Sequence, residues 1–521
     1  MSEGDLIIGL DAGTSVIKAV VFDLAGRQIA AAGTANLYRR DAAGVAVEQD
    51  LAQTWADVVA VIGRIGEKLP DLARRAVALA VTGQGDGTCL IGADGAPVAP
   101  AWLWLDTRAA AIVEEMAADG RRAAAYRSTG SGMNASNQSG HLVWLDRHRP
   151  DLLDRTDYAC HVKDWLYLCL TGERVTDVSE AVFTFGNYRT RDYDADAIAA
   201  YGLTHRRRLL PPIVDSLTGR HHPLATAVAD RLGLKAGLPV VLGYVDVLCT
   251  ALAAGLHDEA GAAGISIVGS TGMHMRRADP ATLDLLPEPS GYTMCFVPGS
   301  VARMQSNMAA TINIDWLLDL TRQAAELLGH DFDRDQALAA FERVVAAERP
   351  AQALYHPYID RAGERGPFVE ARARAQIVGL SNAVGFGGIL RSVYEGLAYA
   401  ARDCFASIGG PPAELRIAGG AARSRTLKQI YASVLGVPVR DAERDEAGAT
   451  GAAMMAAVAL GIVPDMAACC RTWVAPTLGR VIAPDPDLGP VYDAGFAIYR
   501  SLRTEMRPHW HALAAMPRAP S

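Results

Sequence analysis

The sequence predicts an α/β protein built from two similar lobes. Its 521 residues exceed what one hydrophobic core usually supports, so two domains are expected. Residues 6–23 and 264–277 share one design, a glycine-containing polar turn between two apolar runs rich in β-branched residues. Strand-like runs also alternate with runs of helical apolar spacing. The predicted division is a first lobe over 1–255, a second over 256–484 and a helical tail over 485–521.

The first shared turn has the composition of a phosphate-binding hairpin. Gly13 allows the backbone to approach a ligand closely. The backbone N–H groups of the turn and the hydroxyls of Thr14 and Ser15 can donate to phosphoryl oxygens, while Asp11 can hold a magnesium ion through water. An ordinary hairpin with a polar tip is the alternative for this stretch alone.

The second turn repeats that design in the other half of the chain, with Gly269, Ser270, Thr271 and Gly272 between two apolar runs. Single turns of this composition are common, so the prediction depends on the pair. Two such hairpins a domain's length apart predict that nucleotide phosphates are clamped in a cleft between two lobes.

The remaining elements follow from apolar spacing and from glycine-containing breaks. The predicted strands cover 76–87 and 239–247, and a strand, a turn and a helix follow in order over 414–436. An Ala- and Gly-rich connection over 251–264 places the domain boundary near Gly255. The predicted helices cover residues 51–69, 163–172, 315–328, 389–405, 451–463 and much of the chain beyond 484. The helical tail beyond 484 is expected to pack on the outside.

Composition narrows the class of partner. The net charge of −8 gives no electrostatic footprint for nucleic acid or an anionic membrane, which favours a small-molecule substrate. The eight cysteines form no C-x-x-C pair, so neither a disulfide framework nor a zinc site is expected. The acidic residues 1–5 do not resemble a secretory signal, and the apolar run at 451–463 is too short to span a bilayer. A cytoplasmic protein is expected, and the monomer and the homodimer are both left open.

Asp246 is the candidate general base. It ends the strand predicted over 239–247, and the carboxyl ends of strands are where α/β folds hold ligands. A carboxylate there can accept the proton of a substrate hydroxyl as that oxygen attacks a γ-phosphoryl group. The alternative is a helix N-cap, because Asp is a favoured cap and residues 247–254 have helical character.

A glycine pair in the second half is the candidate nucleoside site. Backbone without side chains at Gly419 and Gly420 can lie flat against a nucleobase or its ribose, and Ala421 and Ser424 complete the predicted contacts. A tight strand-to-helix turn without a ligand requires the same glycines, so the structural explanation stays open.

Taken in order, these motifs resemble the FGGY family of carbohydrate kinases, a branch of the sugar kinase and actin superfamily. The motifs are residues 11–18, 163–181, 243–247, 269–272, 394–403 and 419–420, so the resemblance spans nearly the whole chain. It implies a two-lobed, duplicated actin-like ATPase fold of ribonuclease H type, with the active site in the interdomain cleft.

The resemblance also implies roles for single residues. Asp11 and Asp246 would hold Mg²⁺, Gly13, Thr14 and Thr271 would contact ATP phosphates, and Asp246 would be the catalytic base. Lys18 matches a basic position that steadies phosphate, and a solvated lysine at a strand end is the equal alternative.

Gln84, Asp86 and Trp104 are the predicted substrate-binding residues, together with Asp246. Glycerol kinases have an Arg-Glu pair where this chain has Gly85 and Asp86, so the grip on the substrate must differ. Asp86 can accept hydrogen bonds from adjacent hydroxyls, Trp104 can pack on a carbon chain, and the missing arginine is expected to leave room for a longer substrate.

Within the family, the runs over 81–90 and 102–110 are most similar to the branch that phosphorylates erythritol, with L-xylulose kinases further off. The expected activity is ATP- and Mg²⁺-dependent phosphorylation of a terminal hydroxyl of a small polyol, erythritol first. A ketopentose kinase acting on xylulose, L-xylulose or ribulose is the alternative, and a non-catalytic actin-like nucleotide-binding regulator is the rival from another class.

Overall fold

The computed structural model describes residues 4–442 and 444–516, which divide into two compact units. Unit 1 takes in the described chain up to Gly261, then Arg277–Ala302 and Arg444–Thr477, and the remaining described residues form unit 2. The predicted lobes, 1–255 and 256–484, are contiguous, whereas these units are not. The difference arises because the segment Arg444–Thr477 returns to unit 1 and packs a helix against its sheet.

Unit 1 is built on a six-stranded sheet in the order β5-β6-β4-β1-β2-β3. Strands β1 to β3 form an antiparallel meander, while β4 runs parallel to β1 and β6 parallel to β4. Strands β1, β2 and β4 are buried on both faces, as their nearly continuous apolar sequences require, whereas the edge strand β3 is largely exposed. They are β1 (Leu6–Ala12), β2 (Val16–Asp23), β3 (Gln28–Ala35), β4 (Ala76–Gly83), β5 (His222–Pro223) and β6 (Pro239–Leu242).

The sheet of unit 2 repeats this arrangement. An antiparallel hairpin, β7 with β8, is followed by β10 parallel to β7 and β11 parallel to β10. The strands lie in the order β9-β8-β7-β10-β11. They are β7 (Ala263–Val268), β8 (Gly272–Ala278), β9 (Val301–Asn307), β10 (Glu414–Ala418) and β11 (Val439–Asp441). The duplicated α/β architecture predicted from the two hairpins is therefore confirmed.

Helices pack against both sheets, and the longer ones are numbered in chain order. They are α1 (Leu51–Lys68), α2 (Ala110–Ala118), α3 (Arg121–Thr129), α4 (Gln138–His148), α5 (Val162–Thr171), α6 (Val178–Phe185), α7 (Asp246–Ala253), α8 (Ile312–Leu327), α9 (Arg334–Ala347), α10 (Phe386–Ser407), α11 (Arg425–Leu435), α12 (Ala447–Ala459), α13 (Gly489–Glu505) and α14 (Arg507–Ala514). Within residues 4–442 and 444–516, none of the helices is long and apolar enough to cross a bilayer.

The structure corrects two sequence predictions. The strand expected over 239–247 ends at Leu242, and Asp246 is instead the first residue of α7. The chain has left the sheet by then, because the Val245 N–H donates to the Ser179 hydroxyl (3.1 Å) rather than to a strand.

The second correction concerns the helical tail. The prediction that it packs on the outside is wrong. Tyr492 and Tyr499 of α13 and Trp510 of α14 are at most 1% exposed and belong to the core of unit 2. Residues 1–3 of the predicted first lobe and residues 517–521 of the predicted tail lie outside the described residues.

Candidate active site

The turn between β1 and β2 has its carbonyl groups held by one asparagine. The Asn36 side-chain amide donates to the Gly13 carbonyl (2.8 Å), and the Asn36 N–H donates to the Ser15 carbonyl (2.9 Å). In a trans peptide the N–H points opposite to the carbonyl, so the Thr14 N–H is directed away from Asn36. Ser15 is exposed and Thr14 is half-buried, which leaves the turn accessible to an anion.

The turn between β7 and β8 in unit 2 is held in the same manner. Thr311 donates to the Gly269 carbonyl from its N–H (2.9 Å) and from its hydroxyl (2.8 Å), and the Ala310 N–H donates to the Ser270 carbonyl (2.7 Å). The Ser270 and Thr271 N–H groups are therefore directed away from these donors. Each unit therefore carries a turn that presents backbone donors.

Asp11, at the end of β1, has a carboxylate that is incompletely satisfied. Its Oδ1 is buried and has no hydrogen-bond partner within residues 4–442 and 444–516. Helix α12 approaches so closely that a Cβ on Gly448 would lie 2.2 Å from the Asp11 Oδ2, so only glycine leaves space for this carboxylate. Burial raises the pKa of Asp11 to about 6, Lys18 opposes the rise, and Glu446 adds to it. This chemistry suits a site that a cation completes.

Asp246 lies in the same unit, half-buried at the start of α7. The N-cap position belongs to Val245, and the Asp246 Oδ1 accepts from the adjacent Val247 N–H (2.6 Å), so Asp246 is not the N-cap of α7. Burial and then the neighbouring Asp11 charge raise the pKa of Asp246 well above its ordinary value. A raised pKa makes the ionised carboxylate a stronger base.

Lys18 is paired rather than freely solvated. Its Nζ lies 2.9 Å from the Oε2 of Glu446, the residue immediately before α12. The Lys18 side chain is 34% exposed. A partly exposed lysine beside the first hairpin can exchange this partner for a phosphate.

Gln84 follows β4 and is buried. Its amide donates to the Gln49 Oε1 (2.8 Å), the Gln49 amide donates to the Asn36 Oδ1 (2.9 Å), and Asn36 in turn holds the Gly13 carbonyl. The Gln84 Oε1 has no hydrogen-bond partner among the described residues. One side of the predicted substrate pocket is thus connected to the phosphate hairpin.

Asp86 adopts a left-handed backbone conformation with φ 54°, which is uncommon for a residue other than glycine. Its N–H donates to the Glu180 Oε1 (2.8 Å), and its Oδ1 accepts from the Asn137 amide (2.5 Å). These two bonds fix the backbone and the carboxylate together. Asn137 and Glu180 were not predicted, because nothing in the sequence places them beside Asp86.

Gly85 stands where glycerol kinases have an arginine, and the missing side chain was expected to leave room for substrate. A Cβ there would lie 2.4 Å from the Val245 Cγ2 and 2.8 Å from the Glu180 Oε1. Val245 and Glu180 occupy the place where a side chain on Gly85 would begin. The room expected from the missing arginine is therefore not present beside this backbone.

Trp104 is the last of the predicted pocket residues. Its indole is 38% exposed, and its Nε1 donates to the Thr14 hydroxyl (2.8 Å). The flat ring and the phosphate hairpin are therefore in direct contact within unit 1.

The predicted nucleoside turn in unit 2 includes both structural and open positions. Gly419 has φ 86°, and a Cβ on it would lie 2.8 Å from the Val268 carbonyl oxygen, so the turn itself requires glycine there. Nothing lies within 4 Å of a Cβ on Gly420, which leaves that backbone open to a ligand. Ser424 caps α11 by accepting from the Leu427 N–H (2.9 Å), and Ala421 is buried.

The duplicated ribonuclease H-like sheets, with a donor-lined turn in each, define a protein of the actin-like ATPase class. The N-terminal domain model of the FGGY family of carbohydrate kinases matches residues 6–253, and the C-terminal domain model matches 264–460. The chain belongs to the FGGY family of carbohydrate kinases. Membership of this family implies ATP as the phosphoryl donor. It also excludes the alternative of a non-catalytic nucleotide-binding regulator.

Individual relatives narrow the comparison. The chain is 49% identical over 514 residues to the erythritol kinase of Brucella abortus, covering 98% of each protein. The xylulose kinase of Rhodospirillum rubrum superposes with a TM-score of 0.86 at 27% identity, covering 97% of this chain and 100% of that one. The gluconate kinase of Lactobacillus acidophilus superposes with a TM-score of 0.87 at 22% identity over 98% and 99%, which shows the shared fold.

Proposed function

We propose that this enzyme transfers the γ-phosphoryl group of ATP to a terminal hydroxyl of erythritol or a closely similar unbranched polyol. The observation that carries the proposal is the 49% identity with an erythritol kinase over nearly the full length of both chains. The pocket is consistent with it, since Asp86 offers a fixed carboxylate for adjacent hydroxyls and Trp104 an exposed ring for a short carbon chain.

Asp246 is the proposed base. A substrate hydroxyl that donates to its carboxylate loses the proton as the oxygen attacks the γ-phosphorus, and the proton passes to Asp246. The turns at 13–15 and 269–272, with Lys18, bind the phosphates, and the turn from Gly419 to Ser424 binds the nucleoside. Positioning and charge neutralisation supply most of the rate in phosphoryl transfer.

Asp11 and Asp246 are the proposed holders of Mg²⁺. The orphaned Asp11 Oδ1, and the Asp11 charge that raises the pKa of Asp246, fit a hard cation with oxygen ligands. The described residues contain no group of three or more His, Cys, Asp or Glu placed to hold a metal, and one or two carboxylates are what Mg²⁺ usually takes from a protein. When bound, the ion neutralises phosphate charge.

A panel of acceptors tests the substrate. Initial rates of ADP formation with erythritol, glycerol, xylitol, D-xylulose, L-xylulose and ribulose give kcat/KM for each, and erythritol should rank first. A ketopentose in first place would favour the second candidate, a xylulose-type kinase, which the superposition with the Rhodospirillum rubrum enzyme supports.

Substituting Asp246→Asn tests the base. The amide keeps the size of the side chain and cannot accept the proton, so kcat should fall by roughly 10²- to 10⁴-fold while calorimetric dissociation constants for ADP and polyol change little. Asp57→Asn, on α1, removes a carboxylate outside the site and should keep the wild-type rate. Retained turnover in Asp246→Asn would assign the base elsewhere.

We also propose that the enzyme works in the cytoplasm. All eight cysteines are unpaired thiols, as a reducing compartment allows. Its proposed partners are the polyol and ATP.

A further inference from the structure

The contact between Trp104 and Thr14 joins two parts of the site that have separate ligands. Trp104 belongs to the proposed polyol pocket, and Thr14 belongs to the turn that binds phosphate. They are 90 positions apart in the sequence, yet the indole Nε1 and the hydroxyl oxygen are 2.8 Å apart. Trp104 is 38% exposed, so part of its ring is accessible to a ligand.

The chemistry of the two groups decides the direction of the bond. An indole N–H only donates, so the Thr14 oxygen must be the acceptor. A hydroxyl that accepts one bond still has its own proton to donate, and the position of the acceptor bond restricts where that proton points. With the indole in place, the Thr14 O–H is therefore free to donate to a phosphoryl oxygen, and its orientation is set by the ring.

The opposite side of the same turn is also connected to the pocket. Gln84 is linked through Gln49 to Asn36, which holds the Gly13 carbonyl, and all three side chains are buried. That chain is fixed by its burial. The Trp104 contact is the exposed link, and it is the one that a ligand packing on the ring can alter.

We propose that Trp104 is a positioning residue that couples polyol binding to nucleotide binding through the Thr14 hydroxyl. A polyol packed on the indole restricts the ring, the restricted ring orients the hydroxyl, and the oriented hydroxyl binds phosphate more tightly. Coupling between two ligands is reciprocal, so ATP should tighten polyol binding by the same factor. This inference rests on the proposed function of the site.

The test measures the dissociation constant of Mg·ADP by calorimetry, without and with a saturating concentration of the polyol that the panel ranks first. The wild-type ratio should be at least about fivefold, the lower end of common coupling factors. Trp104→Phe keeps a ring for the carbon chain and removes the N–H, so the ratio should fall towards one while the polyol dissociation constant changes less than about threefold. A ratio that stays at the wild-type value overturns the inference.

Variants of Thr14 make the test specific. Thr14→Val removes the hydroxyl and should abolish the ratio as Trp104→Phe does, whereas Thr14→Ser should restore it. The double variant should show no loss beyond that of either single variant, because both act through one bond. Independent losses that multiply in the double variant would overturn the inference.

The experiments distinguish failure of the proposed function from failure of the inference about Trp104. If the wild-type enzyme phosphorylates no polyol in the panel, the substrate is wrong. If it phosphorylates one and shows no coupling ratio, only the role of Trp104 fails.

Discussion

At the scale of single residues, the site depends on charges that the sequence did not place together. His161, Lys163, Asp164, Asp177 and Glu180 are each at most 2% exposed. The Lys163 Nζ lies 2.8 Å from Asp164, 2.5 Å from Asp177 and 3.4 Å from Glu180. Burial raises the pKa of Glu180 to about 7, and His161 and Lys163 oppose the rise. Buried charges are tolerated when they are paired, so this cluster holds Glu180 firmly against the Asp86 N–H.

Glu180 should therefore matter for the polyol and not for the nucleotide. Glu180→Ala removes the acceptor of the Asp86 N–H, and a buried donor left unpaired costs about 1–3 kcal/mol. With its backbone released, Asp86 should bind the polyol about tenfold more weakly, whereas the KM for ATP should change less than about threefold. Steady-state kinetics separate the two constants.

Glu180→Gln is the matched control. It keeps an acceptor oxygen and should recover most of the affinity for the polyol. A parallel rise of both KM values in Glu180→Ala would indicate general disruption instead of loss of the Asp86 anchor.

The residue scale also shows what the sequence could predict. Asp11, Asp246 and the two glycine-containing turns were found because each stands in a short pattern beside an apolar run. Glu180 lies within the 163–181 motif, but that motif predicted no contact with Asp86, and Asn137 lies in none of the motifs. Their roles arise from folding, which brings α6 and the start of α4 to a loop some 50 to 90 positions away in sequence.

At the scale of elements, α12 is the clearest link between sequence and site. Its small residues allow approaches that larger side chains would block. A Cβ on Gly451 would lie 1.9 Å from the Cys249 carbonyl oxygen of α7, and one on Gly9 of β1 would lie 2.4 Å from the Ala449 carbonyl oxygen. The helix thereby fixes β1 and α7, the elements that carry Asp11 and Asp246. The sequence predicted a helix over 451–463 but not which elements it contacts.

Gly451→Ala tests this packing. The added methyl group must displace backbone, so we expect the free energy of unfolding to fall by roughly 1–3 kcal/mol or more, as measured by urea denaturation. The activity should fall with it, because a shift of α7 moves Asp246.

Gly63→Ala in α1 is the control, since nothing lies within 4 Å of its Cβ position. It should stabilise the protein by up to about 1 kcal/mol through helix propensity. If Gly451→Ala behaved like Gly63→Ala, the close approach of α12 to α7 would be contradicted.

At the scale of the whole molecule, elements that are neighbours in the sequence do not always belong to the same unit. Local patterns predicted most elements, and α1, α8 and α10 begin and end within three residues of their predicted bounds. Membership of a unit depends on contacts between distant segments. That is why α12 in unit 1 and the tail in the core of unit 2 could not be predicted from spacing alone.

The C-terminal helices show the consequence for stability. In the core of unit 2 the Tyr499 hydroxyl lies 3.0 Å from that of Tyr358, and Trp510 stacks on Phe368 with ring centroids 6.2 Å apart. Trp510 is 1% exposed, whereas Leu513, one turn further along α14, is 54% exposed. Truncating a buried aromatic residue to alanine costs about 3–5 kcal/mol, while a surface substitution usually changes stability by less than about 0.5 kcal/mol.

Trp510→Ala should therefore lower the midpoint of thermal unfolding by several degrees, and Leu513→Ala should leave it nearly unchanged. Removing all residues after Pro484 deletes Tyr492, Tyr499 and Trp510 together. Their combined loss is comparable to the whole stability of a typical domain, about 5–15 kcal/mol, so the shortened chain should be insoluble or should lose Mg·ADP binding. Calorimetry and soluble yield measure both outcomes. A shortened chain that keeps the wild-type midpoint and still binds Mg·ADP would show that the tail is an external addition to unit 2 and not part of its core.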